Sequence, residues 1–421
     1  MAICLGLLTL MATPGQAQQQ SILDSLIAEG LRVNPYLRAA HFRFQAEKLN
    51  AKASGTLPDP TLGLAFSNLP IDTYSLDETP MSGISLGITQ MVPFPLKLKA
   101  KSDIGHLVAR SAGLSETELK NELVQKIKSV FYHLSYWNEA IAIIKENIAL
   151  MEGLEQVAEA RYAAGEGLAS DVLRAQTSVS QLRNRLISAE KIYESSEEML
   201  SNLLNRPVGI AFGTPPDLPE DLPDLNLDSL LKEAIEHNPA LKKSRVKVQL
   251  SEKKKSLAKW NFWPDFSFGV DYRIRESSPM DAVKGSDFLT FKVGLSLPLW
   301  FFAKQNNLLG SADENLIAAQ SMDEGMQRMV EYQVVERYQE AEKAKDQFEL
   351  YRDAILPQAK STLESSMIAY QVGQVDFLTL ITSQLSVFNY EIEKLSTLNS
   401  LHQALADLEE LTGGTYKGEI R

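Results

Sequence analysis

Between Pro95 and Pro207 the chain contains no proline, and apolar residues recur through this stretch at alternating steps of three and four. Ile127, Val130, Leu134, Trp137, Ile141, Ile144, Ile148 and Met151 form one series. Val172, Ala175, Val179, Leu182, Leu186, Ala189, Tyr193, Ser196, Leu200 and Leu203 form the next, and Leu378, Ile381, Leu385, Phe388, Ile392 and Leu395 a third. Such spacing keeps one side of a helix apolar and is the seam of a coiled coil. From Lys97 to Tyr162, at 1.5 Å per residue, an unbroken helix reaches on the order of 100 Å. No compact globular domain needs such a rod. Pro357 falls inside the corresponding rod later in the chain and should kink it or change its packing.

The rods belong to a duplication. Leu23-Asp24-Ser25-Leu26 returns as Leu227-Asp228-Ser229-Leu230, Asn34-Pro35 as Asn238-Pro239, Gln45 as Gln249 and Pro60 as Pro264. Further on, Tyr162, Gly165 and Gln176 return as Tyr370, Gly373 and Gln384. The spacing predicts a leader over 1–17, a first repeat over 18–213, a linker over 214–225, a second repeat over 226–414 and a short tail over 415–421. The linker is rich in proline and acid, as a connection should be. Each repeat reads as a short helix ending at Asn-Pro, a second helix, two strands and a hairpin of long helices. The strands are expected near 61–68 and 83–91, then 265–275 and 288–297. The hairpins are expected near 97–205 and 303–412.

The strand segments alternate apolar and polar residues. Phe266, Phe268, Val270, Tyr272 and Ile274 share one face, with Asp265, Ser267, Asp271 and Arg273 opposite. Leu289, Phe291, Val293 and Leu295 alternate with Thr290, Lys292, Gly294 and Ser296, and the first repeat does the same through Leu62, Leu64 and Phe66. A bilayer-spanning strand needs about 9–11 residues of this pattern. A half-buried hairpin in a soluble protein would carry it equally well. Four strands cannot close a barrel, and an open edge in lipid leaves backbone groups unpaired. Closed membrane barrels need at least about eight strands, so strands that enter the bilayer require two or more chains.

Composition narrows the function. The net charge of −12 argues against a nucleic-acid partner, whose phosphates call for clustered Lys and Arg. The opening run AICLGLLTLMA, followed by TPGQA, is too short to span a bilayer and suits a signal-peptide core cut after Ala17. It lacks a basic leader region, so the start codon is expected upstream. The single cysteine, Cys4, would leave with the leader. His41, His106, His133, His237 and His402 show no metal-ligand spacing, and no HExxH, phosphate loop or GxSxG is present. No cofactor is expected, and the chain does not read as an enzyme. Met322, Met326 and Met329 fall on one helical face; packing explains such a stripe more simply than copper-thioether ligation.

The twin Asn-Pro sites, the proline-led strands at Pro60 and Pro264, Arg161-Tyr162-Ala163-Ala164-Gly165 with Ser170-Asp171-Val172-Leu173-Arg174-Ala175-Gln176, and Leu356-Pro357 with Tyr370-Gln371-Val372-Gly373 and Gln384 occur in a fixed, duplicated order. In this the chain resembles the TolC-like outer-membrane efflux proteins over nearly its whole mature length. The resemblance implies a mainly α fold with a small β part: long antiparallel coiled-coil helices in two repeats, and four strands given to a shared trimeric transmembrane β-barrel. It implies a homotrimer in outer-membrane lipid with a long periplasmic extension. A periplasmic adaptor (membrane fusion) protein and an inner-membrane efflux pump are the implied partners.

By the same likeness, the turns at Gly165 and Gly373, with Tyr162 and Tyr370, dock the adaptor. The helix starts beside them, Asp171 and Asp376 with Thr379 and Thr382, form the periplasmic gate. Family members often carry aspartates where this chain has Thr379 and Thr382, a departure that leaves Asp376 as the nearest acid. As a plain structural role, Asp376 would cap the last helix and Asp171 would favour a first helical turn. Pro80-Met81-Ser82-Gly83 and Gln90-Met91-Val92-Pro93-Phe94-Pro95 resemble members serving heavy-metal cation pumps. Three other readings compete: a duct of type I protein secretion, a structural coiled coil with a soluble cap, and the adaptor itself, which would show only one hairpin.

Overall fold

The computed structural model describes residues 14–414 except 211, 221, 279–281 and 283. Most of the expected leader and the whole tail lie outside the described residues; the expected cut after Ala17 falls in the first turns of α1. The elements run α1 (Pro14–Val33), α2 (Pro35–Ser54), β1 (Thr61–Ser67), β2 (Gly83–Val92), α3 (Pro95–Ala163), α4 (Ala169–Leu203), α5 (Leu227–His237) and α6 (Pro239–Trp260). Then follow β3 (Asp265–Ile274), β4 (Phe288–Ser296), α7 (Gln305–Leu350), α8 (Leu356–Gln371) and α9 (Phe377–Leu411).

They group into two compact units: one takes Ala40–Ser115 and Lys242–Met326, the other the remainder. The first unit holds one antiparallel sheet in the order β1-β2-β3-β4. Its register aligns the alternation seen in sequence across every strand: Leu62, Ile88, Val270 and Phe291 form one row, and Leu64, Leu86, Tyr272 and Leu289 the next. The apolar face is open, with Leu62, Phe291 and Val293 each more than 70% exposed. The opposite face carries charge: Lys292 pairs with Asp271 at 2.6 Å, and Arg273 Nε donates to Ser85 Oγ at 3.2 Å. Gly87 makes room for Asp271, since a Cβ there would stand 2.2 Å from its carboxylate. At the strand–helix joint, buried Lys97 donates to Asp265 and to the Trp263 carbonyl, both at 2.8 Å.

The second unit is helical. Ile144, Met151, Ala175, Val179, Leu182, Phe377, Leu380, Ile381 and Phe388 form a core shared by α3, α4, α8 and α9. The seams in α3 and α4 are the expected ones. In α9 the seam begins one residue early: Leu378 is 44% exposed and Phe377 is buried in its place, because α9 packs against several helices and so buries more than a narrow stripe. A polar pair crosses this core, where Gln384 Nε2 donates to Asn147 Oδ1 at 2.8 Å. Its repeat counterpart Gln176 is exposed. The break expected at Pro357 is a π-helical turn, Tyr351–Ile355, immediately before it. Such turns accommodate a residue whose N–H and steric fit the α-ladder lacks. The methionine stripe does not pack as expected within this chain, since Met322 and Met329 are 68% and 56% exposed.

The twin Asn-Pro sites close both hairpins in the same way. Asn34 Oδ1 accepts from the amides of Tyr36 and Leu37 while its Nδ2 donates to the carbonyl of Leu203, at the end of α4. Asn238 Oδ1 accepts from the Leu241 amide and its Nδ2 donates to Leu411, at the end of α9. One side chain thus caps the start of one helix and the finish of another.

The segment between α4 and α5 lies across the helices of this unit. Leu218 is buried, its amide donates to Glu139 Oε1 at 2.5 Å, and His402 Nε2 donates to the Pro219 carbonyl at 2.8 Å. Burial, reinforced by Asp217 and Glu220, pushes Glu139 up to about 7 against the pull of the Leu218 amide. A carboxyl raised on folding contributes stability that is full below its unfolded value and is lost as pH rises through about 7. Glu139→Gln is therefore expected to raise the thermal midpoint at alkaline pH and to change little under acid conditions. Solvent screening limits the gain to about 1 kcal/mol. Thermal unfolding across pH tests this, and a variant with the same pH dependence as the parent would refute it.

Candidate functional site at the paired hairpin turns

Both long hairpins turn through the same backbone motif. Gly165, at φ +77°, donates to the Tyr162 carbonyl while Glu166 donates to Arg161. Gly373, at φ +72°, donates to Tyr370 while Gln374 donates to Ala369. These paired bonds are Schellman motifs, and the left-handed residue each requires is why glycine stands there. A Cβ at either glycine would meet nothing, so conformation, not space, fixes the residue.

The repeated tyrosines differ. Tyr162 is 54% exposed, whereas Tyr370 is 9% exposed and packs on Phe377 at 5.5 Å between ring centres. Arg161 joins the two turns: its guanidinium lies 4.9 Å above the Tyr370 ring and donates to the Tyr370 carbonyl at 3.3 Å. Sequence reasoning missed Arg161. Its only signal was its place beside Tyr162, since Tyr370 lies 209 residues away.

The helix starts differ too. Asp376 is the N-cap of α9, accepting from the Thr379 amide at 2.9 Å and from its hydroxyl at 2.6 Å. The Thr379 hydroxyl, then its amide, hold the Asp376 carboxyl below its ordinary range, with Arg174 adding a smaller effect. In α4 the cap position is Leu168, which has no side-chain cap bond; Asp171 sits in the first turn, and Ser170 Oγ reaches it at 3.5 Å. Thr382 Oγ1 donates back to the Leu378 carbonyl at 2.7 Å. Thr379 and Thr382 line an open groove of about 690 Å³ between α8 and α9, together with Thr362, Ser383, Ser386 and Tyr390. Its wall is hydroxyl-rich and uncharged. Asp376 caps α9, whose first turns supply part of that wall, while Asp171 belongs to the other hairpin. Among the described residues no cluster of His, Cys, Asp or Glu is arranged to hold a metal ion, and no helix is long and apolar enough to cross a membrane.

Comparison with known proteins gives this geometry a context. The cobalt-zinc-cadmium resistance protein CzcC of Cupriavidus metallidurans is 19% identical over 338 residues, 77% of each chain. Toxin and drug export protein A of Aggregatibacter actinomycetemcomitans is 23% identical over 238 residues, 54% of this chain and 50% of that one. The chain thus spans about half the length of this relative, and 42% of an uncharacterised Haemophilus influenzae protein that it also matches. Among solved structures, the outer membrane protein VceC of Vibrio cholerae superposes with a TM-score of 0.79 at 16% identity, covering 94% of this chain and 97% of that one. This likeness establishes the fold. The family described as outer membrane efflux protein matches residues 26–206 and 230–414, one span in each repeat. On that match, over most of its length, the chain belongs to the outer membrane efflux protein family.

Proposed function

We propose that the chain is the outer-membrane channel subunit of a tripartite efflux system, passively conducting substrate that a pump and an adaptor deliver. The observation that carries this reading is the sheet. Its four strands present one face that is apolar except for Gln90 and one face that carries Asp271, Arg273 and Lys292, and among the described residues β1 and β4 each have an edge with no strand beside it. In lipid such edges must be paired. A homotrimer would supply twelve strands to one barrel, above the roughly eight that closure needs. The charged face would then line water. The test is to purify the protein from outer membranes and record conductance in planar bilayers. A monomer without conductance would end the reading.

Metal cations are the substrate class we favour, because the likeness to CzcC covers 77% of each chain and the Pro80–Pro95 stretch points the same way. The adaptor would meet the Gly165 and Gly373 turns, with Tyr162 as the exposed contact and Tyr370 shaping its turn from within. Asp171 and Asp376 would bring acid to the periplasmic mouth, beside the neutral wall of Thr379 and Thr382. Like charges repeated around an axis attract cations. Asparagine caps a helix as well as aspartate does, so Asp376→Asn removes charge and keeps the cap. Its expected result is a cation-to-anion permeability ratio shifted toward one in bilayer recordings. An unchanged ratio would reduce Asp376 to a capping residue.

A further inference from the structure

The antiparallel order β1-β2-β3-β4 sends all four helical connections out of one end of the sheet and both long loops out of the other. The two ends differ in charge. At the helix end, residues 52–60, 93–104, 252–264 and 297–308 hold nine lysines and three acids. At the loop end, residues 68–82 and 275–287 hold six acids and two basic residues. For a chain of net charge −12, the local reversal stands out.

Part of this charge is paired on folding: Asp103 with Lys253 at 2.9 Å, and the neighbouring Asp313 with Lys255 and Asp265 with Lys97 at 2.8 Å, while Asp59 and Glu252 stay exposed. Lys99, Lys101, Lys254, Lys259 and Lys304 remain exposed, and none of them forms an ion pair among the described residues. Beside them lies an exposed apolar segment, with Leu299 71%, Trp300 78% and Phe302 72% open to solvent. This segment follows directly from β4, whose apolar face faces the same surroundings.

We propose that this end of the sheet is a docking collar for anionic phospholipid headgroups, with Lys99, Lys101, Lys254 and Lys259 binding the phosphates and Trp300 and Phe302 seated at the headgroup–acyl boundary. The proposal rests on the strands being in the outer membrane, and places the collar in the leaflet from which the helices emerge. The amphipathic indole of Trp300 favours that boundary, and the apolar ring of Phe302 would lie on its acyl side. Lysines beside it attract anionic lipid over a Debye length.

The test uses the full-length protein purified in detergent and exposed to equal amounts of phosphatidylglycerol and phosphatidylcholine in mixed micelles, with the retained lipid measured after washing. Phosphatidylglycerol is expected to be enriched at least about fivefold, the factor that one lysine near an anionic surface supplies. About 0.5 M NaCl should abolish the enrichment in the parent protein. So should joint replacement Lys99→Gln, Lys101→Gln, Lys254→Gln and Lys259→Gln, with helix content and oligomer size unchanged. Equal retention of the two lipids, enrichment that survives salt, or enrichment that survives the four substitutions would overturn the proposal. Displacement of the lipid by an equal concentration of inorganic phosphate would also overturn it, as the mark of a simple phosphate site. Lipid retention is read without reference to ion flow, so a protein that fails to conduct but retains phosphatidylglycerol would separate this inference from the channel reading.

Discussion

Phe291→Arg is expected to abolish the membrane oligomer, whereas Thr290→Arg, its immediate neighbour, is expected to be tolerated. Phe291 is 74% exposed in the single chain, so its removal costs the folded protomer little packing. In water an arginine there would be harmless. It sits in the middle row of the apolar face, across from Val270, and a charge at the lipid-facing midplane of a barrel costs about 2–4 kcal/mol per chain. Repeated in every subunit, that cost is large beside the stability of an ordinary domain. Thr290 lies on the charged face, opposite Asp271, where an added guanidinium has an anion nearby. The fraction of each variant recovered as oligomer from outer membranes decides the matter. Equal recovery of the two would mean that the apolar face does not meet lipid.

Asn238→Ala should destabilise the helical unit strongly, by about 2–4 kcal/mol. It removes the acceptor for the Leu241 amide and the donor to the Leu411 carbonyl together. Leu241 is fully buried, so water cannot replace the lost bond, and a stranded buried group costs about 1–3 kcal/mol. Asn238→Asp keeps the acceptor and loses the donor, so it should fall about midway. Asn34→Ala should be milder, because Tyr36, beside its cap, is 72% exposed and its amide can turn to water. Thermal or denaturant unfolding ranks the three. A loss below about 0.5 kcal/mol for Asn238→Ala, the range of an ordinary surface change, would show that the shared cap does not hold the repeat closed.

What the sequence disclosed follows from the range of the interactions involved. The three-four spacing, the period-two strands and the turn glycines are local rules, and they placed the helices, all four strands and both hairpin turns. The Asn-Pro sites were visible as a repeated pair, and their local half, an acceptor for the next helix, was legible. Their other half joins residues 169 and 173 positions apart, and no spacing announces that. Tyr162 and Tyr370 look equivalent because the repeats are copies, yet a protomer does not surround its two hairpins alike; one ring is open and the other buried. The same asymmetry buries Gln384 and exposes Gln176. Asp376 could be foreseen as a cap because capping reaches only three residues ahead. Arg161, whose partner is on the other hairpin, could not.

The central claim is that neighbouring chains complete one another's sheet, and edge-to-edge cross-linking in native outer membranes tests it most directly. One cysteine is placed on the free edge of β1 and one on the free edge of β4, with Cys4 replaced by serine. Oxidation should link β1 of one chain to β4 of the next and give a ladder that stops at three chains. Each single-cysteine protein should give no ladder. Only monomer from the double-cysteine protein, with pairs tried along both edges, would contradict the shared sheet.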